Sequence, residues 1–465
     1  MKCLLYIPPF ECEGVRVSNI AEVRLGGLTL LERCCRSLQK ADFDDIYIAR
    51  PETLEIPSDP KVTATIHQFE YQVRMSDVAD QILEAMKVDD DTLCCLVVLD
   101  GMISPECLGM RPRGADVVIK ANGEQTSIYF VSPRKFVEIM TSGDVLNALE
   151  GEISETFSAP EKTVYHQIKC RDDVKEAQNI LTRSLRKPLG RDADGLVAYA
   201  INRPCSLFIS KRIANSFITP NMVTAFGLIL GLGAAALMFF GIPWMMVLGV
   251  VLWQISSMVD GIDGELARMR MSPSHKGEWF DTVADDVTNI TFMFGLGHAI
   301  SVLEEEMLYF YVASSVCVLM VVACLWFYRE FVKMGIASHN HFEWGFESEN
   351  KENKGNEHRN IFRKGIDMIA GGFAWIAKRD FYTFLIMLLV IFSLYLPAYY
   401  VMLTGATFVG VGGICALAIR AYRNARKRAA EKKARKKEAA KKTEAEKKTE
   451  DNKTEDNKTE EAEGN

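Results

Sequence analysis

Six apolar runs between residues 222 and 419 constrain this chain more than any other feature. They lie near 222–241, 243–259, 287–302, 307–328, 381–396 and 399–419. Each is close to the roughly 20 residues that a helix needs to cross a bilayer. The basic residues orient the set. No Lys or Arg occurs between Arg212 and Arg268, between Lys276 and Arg329, or between Arg379 and Arg420, and Glu304, Glu305 and Glu306 fall in one of the loops left without them. Cytoplasmic loops collect Lys and Arg, so both termini, the loop 268–276 and the loop 333–378 are predicted to face the cytoplasm of an inner (cell) membrane. The expectation for 219–420 is an all-α polytopic membrane domain of about six transmembrane helices.

The remaining sequence has a different texture. Residues 1–175 alternate short apolar runs (3–7, 46–49, 94–99, 127–131) with helix-like stretches (29–38, 76–86), the rhythm of a cytoplasmic α/β domain with a largely parallel sheet. Residues 176–218 read as a linker with a juxtamembrane helix, because 203–215 is short, basic and amphipathic and suits a membrane surface. The inner loop 334–360, with His339 and His341, is polar and reads as solvated, and 361–377 is a second amphipathic stretch. Residues 421–465, rich in Lys, Glu and Ala, read as a charged, largely disordered tail. Residues 1–9 show no pattern of a cleaved signal peptide. The twelve cysteines occur in adjacent pairs or singly, never as CxxC or at zinc-ligand spacing, and are expected to be reduced. A net charge of -7 and the absence of any nucleic-acid motif argue against a nucleic-acid partner.

The chemistry concentrates in DGIDGELARMRMSPSHKGEWFDTVADD, residues 260–286. Ionisable residues at the ends of membrane helices are costly unless they pair, face water or bind ions. Asp260 and Asp263 are three residues apart, and Asp281 and Asp285 four apart, so each pair shares a helix face. A hairpin through the cytoplasmic loop would bring the four carboxylates together. Four adjacent acids repel one another unless some are protonated or cations neutralise them, and hard oxygen ligands suit Mg²⁺ or Mn²⁺. Gly264, Ala267 and Gly277 keep the backbone nearby open to a flat base or a diphosphate, or else serve tight helix packing. Arg329, Lys333, Lys378 and Arg379 mark cytoplasmic helix ends, where they either bind an acceptor phosphate or follow the positive-inside bias.

Taken together these positions spell D-x-x-D-G-x-x-A-R, eight residues, then G-x-x-x-D-x-x-x-D. This resembles the signature of the CDP-alcohol phosphotransferase (CDP-alcohol phosphatidyltransferase) family at all eight positions: Asp260, Asp263, Gly264, Ala267, Arg268, Gly277, Asp281 and Asp285. The likeness covers 200–420 and includes Pro220, Asn221 and Thr224. It implies a transferase that moves a substituted phosphate from a CDP-alcohol to a hydroxyl or phosphorylated-alcohol acceptor and releases CMP. Asp260, Asp263 and Asp281 would ligate metal, and Asp285 would hold a second ion or act as general base. Asn221, Asp260, Gly264, Ala267, Arg268 and Gly277 would contact the CDP part, with Arg329 and Arg379 as acceptor-binding candidates. A homodimer in membrane lipid is the family expectation, with Gly227 and Gly231 as candidates for a helix interface.

In the N-terminal domain, GGLTLLERCCRSLQKADFDDIYIA, CLVVLDG and SIYFVSPRKFVEIM resemble parts of a nucleotidyltransferase-like domain. Its order before the phosphotransferase segment resembles the bifunctional inositol-phosphate cytidylyltransferase and di-myo-inositol-phosphate phosphate synthases, which implies an inositol-phosphate type of donor. Such a domain needs a glycine-rich phosphate cradle after its first strand; here Pro8, Pro9 and a stretch with Gly14 alone follow it. A degenerate, non-catalytic domain is expected. Asp100 stands where that family places a metal-binding aspartate, and an Asp-Gly turn accounts for it equally well. Two other readings follow from the same residues: a phospholipid synthase using CDP-diacylglycerol, and an ion-coupled membrane transporter whose carboxylates relay cations. The transporter reading expects its acids near the bilayer centre, whereas these lie at a helix end beside Arg268.

The charge asymmetry makes one prediction of its own. Alkaline phosphatase inserted at Glu305 should be active in a bacterial host, and the same reporter fused after Asn465 should be inactive; the reverse pattern would invert the topology.

Overall fold

The computed structural model describes residues 2–8, 19–338 apart from short stretches at 57–58, 60, 73–74, 88–92, 111, 113–115, 122, 143, 154, 161–162 and 187–194, and then 379–415, 417–418, 420–422 and 425–426. The histidines at 339 and 341, the amphipathic stretch 361–377 and nearly all of the tail lie outside the described residues.

The N-terminal part is an α/β domain. In chain order it comprises β1 (Lys2–Tyr6), β2 (Arg24–Leu25), β3 (Leu28–Thr29), α1 (Leu30–Lys40), β4 (Asp45–Pro51), β5 (Thr65–Tyr71), α2 (Ala79–Met86), β6 (Cys94–Val98), β7 (Gly101–Ile103), α3 (Pro105–Leu108), β8 (Val117–Ala121), β9 (Glu124–Val131), α4 (Pro133–Thr141), α5 (Val145–Glu152), β10 (Glu155–Ser158), β11 (Tyr165–Gln167) and α6 (Arg171–Ser184). Seven strands form one sheet in the order β10-β8-β9-β6-β1-β4-β5. The neighbours β6, β1, β4 and β5 are parallel, whereas β9 runs antiparallel to β6 and β8, so the sheet is mixed.

The continuous apolar runs at β1 and β6 become central strands because both faces are covered. On one face Cys3 and Leu5 pack with Leu31, Cys34, Cys35 and Leu38 of α1. On the other, Leu4 and Tyr6 pack with Ile82 of α2 and Phe136 and Ile139 of α4. Helix α1 starts at a capping box: Thr29 Oγ1 accepts the Glu32 N–H at 3.1 Å, and Glu32 Oε2 accepts the Thr29 N–H at 2.8 Å. The cysteines of this domain at 3, 34, 35, 94, 95 and 107 are buried thiols. Helix α6 packs Val174, Ala177, Ile180 and Leu181 against the same core, so the first part of the stretch read as a linker belongs to this domain.

The rest is helical: α7 (Arg203–Ile213), α8 (Pro220–Phe239), α9 (Pro243–Met269), α10 (His275–Leu303), α11 (Leu308–Met334), α12 (Arg379–Ile391) and α13 (Tyr395–Tyr422). Among the described residues α8, α9, α11 and α13 are long and apolar enough to cross a membrane. The other two expected spans fall within α10, which opens with a polar turn, and α12, of which 13 residues are described. The chain is a membrane protein on these apolar helices.

Two compact units emerge, Met1–Gly233 with Val250–Asp285 and Phe373–Phe384, and Ala234–Gly249 with Asp286–Gly372 and Leu385–Asn465. Within the second, glycine allows close helix approach: a Cβ on Gly249 would sit 3.0 Å from the Ala234 carbonyl oxygen, and one on Gly295 only 2.6 Å from that of Ala235. In the first unit Gly227 faces Val259 of the same chain.

Helix α7 is tied to α9 by a buried acid. Glu265, 0% exposed, accepts from Arg203 Nη1 at 2.9 Å and from the hydroxyls of Ser206 and Ser210 at 2.7 Å each. The hydroxyl face of α7 is therefore the inner one, while Phe208 and Ile209 are exposed, as expected for a helix lying against lipid. Just beyond, Arg270 donates to the carbonyls of Ile213, Ala214, Ser216 and Ile218 at 2.7–3.3 Å, closing the C-terminal end of α7. Glu265→Ala removes a buried carboxylate that serves three donors, including the half-buried Arg203, and should cost about 3 kcal/mol, seen as a lower unfolding temperature in detergent. Glu265→Gln, which keeps an acceptor oxygen, should lose less.

Candidate active site

The two halves of the aspartate motif occupy the end of α9 and the start of α10, and the turn between them is short. Arg268 and Ala267 carbonyls accept from Met271 and Ser272 N–H groups at 3.0 and 2.8 Å, and Met271 takes a left-handed φ of 45°. Ser274 then caps α10, its hydroxyl accepting the Gly277 N–H at 3.2 Å. The chain thus reverses within a few residues, and the acid-bearing ends of both helices come side by side.

Carboxylate oxygens of Asp260, Asp281 and Asp285 lie within 4.8 Å of one another. Asp263 is on the same helix end but is engaged differently: it is 7% exposed, the Thr224 hydroxyl of α8 donates to its Oδ2, and the Gly264 N–H donates to its Oδ1. Three of the four expected aspartates therefore converge, and the fourth is held beside them by hydrogen bonds.

Charge is the central problem of such a cluster. At this separation each pair of carboxylates repels by about 3–4 kcal/mol for an effective dielectric near 20. Arg379, at the start of α12, supplies one counter-charge: its Nη1 lies 3.2 Å from Asp260 Oδ1 and also pairs with Asp285 Oδ1. The expected acceptor-binding role of Arg379 accordingly meets a guanidinium already engaged by two motif carboxylates. Asp281 Oδ1 is buried and takes no hydrogen bond. A buried, orphaned carboxylate oxygen facing two further acids is a donor set that fits a hard divalent cation.

The nucleotide-side residues also gather here. A Cβ on Gly277 would lie 3.2 Å from Asn221 Oδ1, so α8 and the start of α10 meet at that glycine. A Cβ on Gly264 would lie 3.4 Å from Arg268 Nη1, so the absent side chain leaves room for the exposed Arg268 guanidinium one turn away. Ala267 is half-buried on the same helix end. Arg329 belongs to α11 in the other compact unit and is exposed.

Several supporting residues escaped the sequence reading. Asp380, next to Arg379, accepts from Asn202 Nδ2 at 2.9 Å and from Ser257 Oγ at 3.3 Å. Gln254 continues the chain, donating to Asn202 Oδ1 at 3.1 Å and accepting from the Thr383 hydroxyl at 2.9 Å. This buried polar relay ties α12 to α9 and so places Arg379. Its signal was present as amide and acidic residues inside apolar segments, a combination that is costly without partners. Glu265, inside the motif, is another such residue.

In the α/β domain, Asp100 follows β6. Its Oδ2 accepts from Ser127, from Tyr165 at 2.9 Å and from Gln167 at 2.9 Å, while its Oδ1 is buried without a hydrogen bond. Burial raises this carboxyl above the ordinary range against the opposing pull of those three donors. The stretch containing Pro9 and Gly14, where the cradle is expected to be lost, lies outside the described residues.

Comparison with known proteins agrees with the motif. The chain is 35% identical over 125 residues to the "Bifunctional IPC transferase and DIPP synthase" of Aquifex aeolicus, covering 27% of each chain. It is 33% identical over 130 residues to the protein of the same name from Archaeoglobus fulgidus, covering 28% of this chain and 25% of that one. The chain thus spans about a quarter of the length of the curated relatives it matches. Among solved structures it is similar to 2-C-methyl-D-erythritol 4-phosphate cytidylyltransferase from Thermus thermophilus, at 14% identity and a TM-score of 0.25, over 39% of this chain and 98% of that one. Residues 217–411 match the model of the CDP-alcohol phosphatidyltransferase family, and this segment holds all eight motif positions together with Asn221 and Thr224.

Proposed function

We propose that the protein transfers a substituted phosphate from a CDP-alcohol, of the inositol-phosphate type, to a hydroxyl acceptor and releases CMP. The observation that carries this reading is the convergence of Asp260, Asp281 and Asp285 within 4.8 Å, in the segment that matches the family. The bifunctional names of the relatives support the inositol-phosphate donor.

Asp260, Asp281 and Asp285, with Asp263 beside them, are the residues to hold Mg²⁺ or Mn²⁺. When bound, such a cation supplies charge neutralisation at the diphosphate and at the departing CMP. In this reading Arg268 and Asn221 contact the diphosphate, and Gly264, Ala267 and Gly277 leave room for the cytidine. Asp285 takes the proton of the acceptor hydroxyl; the acceptor oxygen bonds to the phosphorus that carries the donor alcohol, and the bond from that phosphorus to the CMP oxygen breaks. Arg379 holds Asp285 in place and is the cation that a phosphorylated acceptor would meet. Following the charge asymmetry of the loops, this site opens at the cytoplasmic surface, and the α/β domain is cytoplasmic and non-catalytic.

Purified protein with Mg²⁺ should release CMP from CDP-inositol and a phosphorylated-alcohol acceptor, and Asp285→Asn should lower the turnover by at least about 10²-fold. Release from CDP-diacylglycerol alone would move the donor to a lipid, and no release from any pair would remove the transferase reading. Direct binding gives a separate measure. Mn²⁺ titration followed by electron paramagnetic resonance should show a saturable site in the wild type that Asp281→Asn weakens by about tenfold or more; equal binding by both would exclude Asp281 as a ligand.

A further inference from the structure

The turn that joins the two halves of the aspartate motif is held by the α/β domain. Every residue involved lies in one compact unit. Arg33 and Arg36, on consecutive turns of α1, point at the end of α9: Arg33 Nη2 donates to the Met269 carbonyl at 2.6 Å and to that of Leu25 at 2.7 Å, and Arg36 Nη1 donates to the Arg270 carbonyl at 2.6 Å. Asp59 orients Arg36 through a bidentate pair at 2.6 and 2.9 Å. Arg270, whose carbonyl is held in this way, sends its own guanidinium into the carbonyls of 213–218.

The β2–β3 turn closes the contact. Gly26 and Gly27 have φ of 59° and 87°. A Cβ on Gly27 would come within 2.3 Å of the Ala214 carbonyl oxygen and 2.8 Å of Arg270 Nε, and one on Gly26 would lie 3.3 Å from the Met269 carbonyl oxygen. The Gly27 N–H donates to Asn215 Oδ1 at 2.8 Å. Two glycines in left-handed conformation therefore let this turn seat directly on the membrane-domain backbone.

Residue exposures of 5% for Arg33 and 9% for Arg36 make these buried cations. For adhesion alone, apolar contacts would serve as well, because desolvating a guanidinium offsets most of its gain. What a guanidinium adds is direction: it sets where a carbonyl sits. Met269 and Arg270 are the last residues before a short turn into α10, so their placement sets the register in which Asp260 and Asp263 face Asp281 and Asp285.

We propose that the α/β domain is a positioning element of the membrane site, clamping the motif turn through Arg33, Arg36 and the Gly26–Gly27 turn, and so setting the spacing of the carboxylates. The proposal rests on the metal-site reading given above. Displacements of about 1 Å at such a distance from the chemistry cost on the order of 10²-fold in rate.

The test uses the full chain in nanodiscs, carrying Arg33→Ala with Arg36→Ala, Arg36→Lys, or Asp59→Asn. Mn²⁺ binding by electron paramagnetic resonance, hydrogen exchange of the turn amides and CMP release against Mg²⁺ are measured together. The double variant should raise the half-saturating Mn²⁺ by about tenfold or more and speed exchange at 271–279, while the amides of β1 and β6 keep their protection. Arg36→Lys, which retains a cation beside the Arg270 carbonyl, should recover part of the loss. Unchanged Mn²⁺ binding and unchanged turn exchange in the double variant would overturn the proposal. Should β1 and β6 also lose protection, Asp59→Asn decides: a smaller rise in half-saturating Mn²⁺ with the strands intact supports the clamp, and no rise overturns it. Failure of the wild type to bind Mn²⁺ would count against the metal reading, and the exchange of the turn would then decide the clamp by itself.

Discussion

Repulsion among carboxylates gathered at two helix ends is the constraint around which this structure is arranged. Asp260, Asp281 and Asp285 come within 4.8 Å of one another, a geometry that a protein holds only when other interactions oppose the repulsion. Arg379 covers two of the three acids, and Thr224 and the Gly264 N–H hold Asp263 beside them. Asp281 Oδ1, buried without a hydrogen bond, is the oxygen these contacts leave uncompensated. Holding like charges this close requires a stiff surrounding frame.

That stiffness comes from buried polar contacts set within apolar helices. The relay from Asn202 through Gln254, Thr383, Asp380 and Ser257 joins α12 to α9, and Glu265 joins α7 to α9. In an apolar environment such groups have few alternative partners, so each contact specifies one arrangement of helices where apolar packing alone would admit several. At its C-terminal end, α1 and the β2–β3 turn act on the same helix through backbone carbonyls. Helix α9 is thus held from three directions near the segment that carries Asp260 and Asp263.

Much of the architecture was legible in the sequence. The runs 3–7 and 94–99 became the central strands β1 and β6, since a strand covered on both faces is apolar throughout. The stretch 29–38 became α1, with Thr29 and Glu32 forming its capping box. Strands β5 and β8 were missed: β5 is an edge strand whose mixed residues carry no period, and β8 lies beside the antiparallel β9, which also makes the sheet mixed. At the site, the helix pairings of the aspartates followed from their three- and four-residue spacings. Asp263 shares its face with Asp260 but is turned to Thr224, a choice made by the neighbouring helix and not by spacing.

The sequence by itself determined the membrane character, the hairpin and the chemical type of its acids, because hydropathy, helical period and charge are local properties that a chain displays along its length. Only the tertiary structure decided which groups answer those acids. Arg379 meets Asp285 across 94 residues, and Arg33 meets the Met269 carbonyl across 236. Such partnerships depend on which elements become neighbours when buried polar groups find partners, and no local period records that.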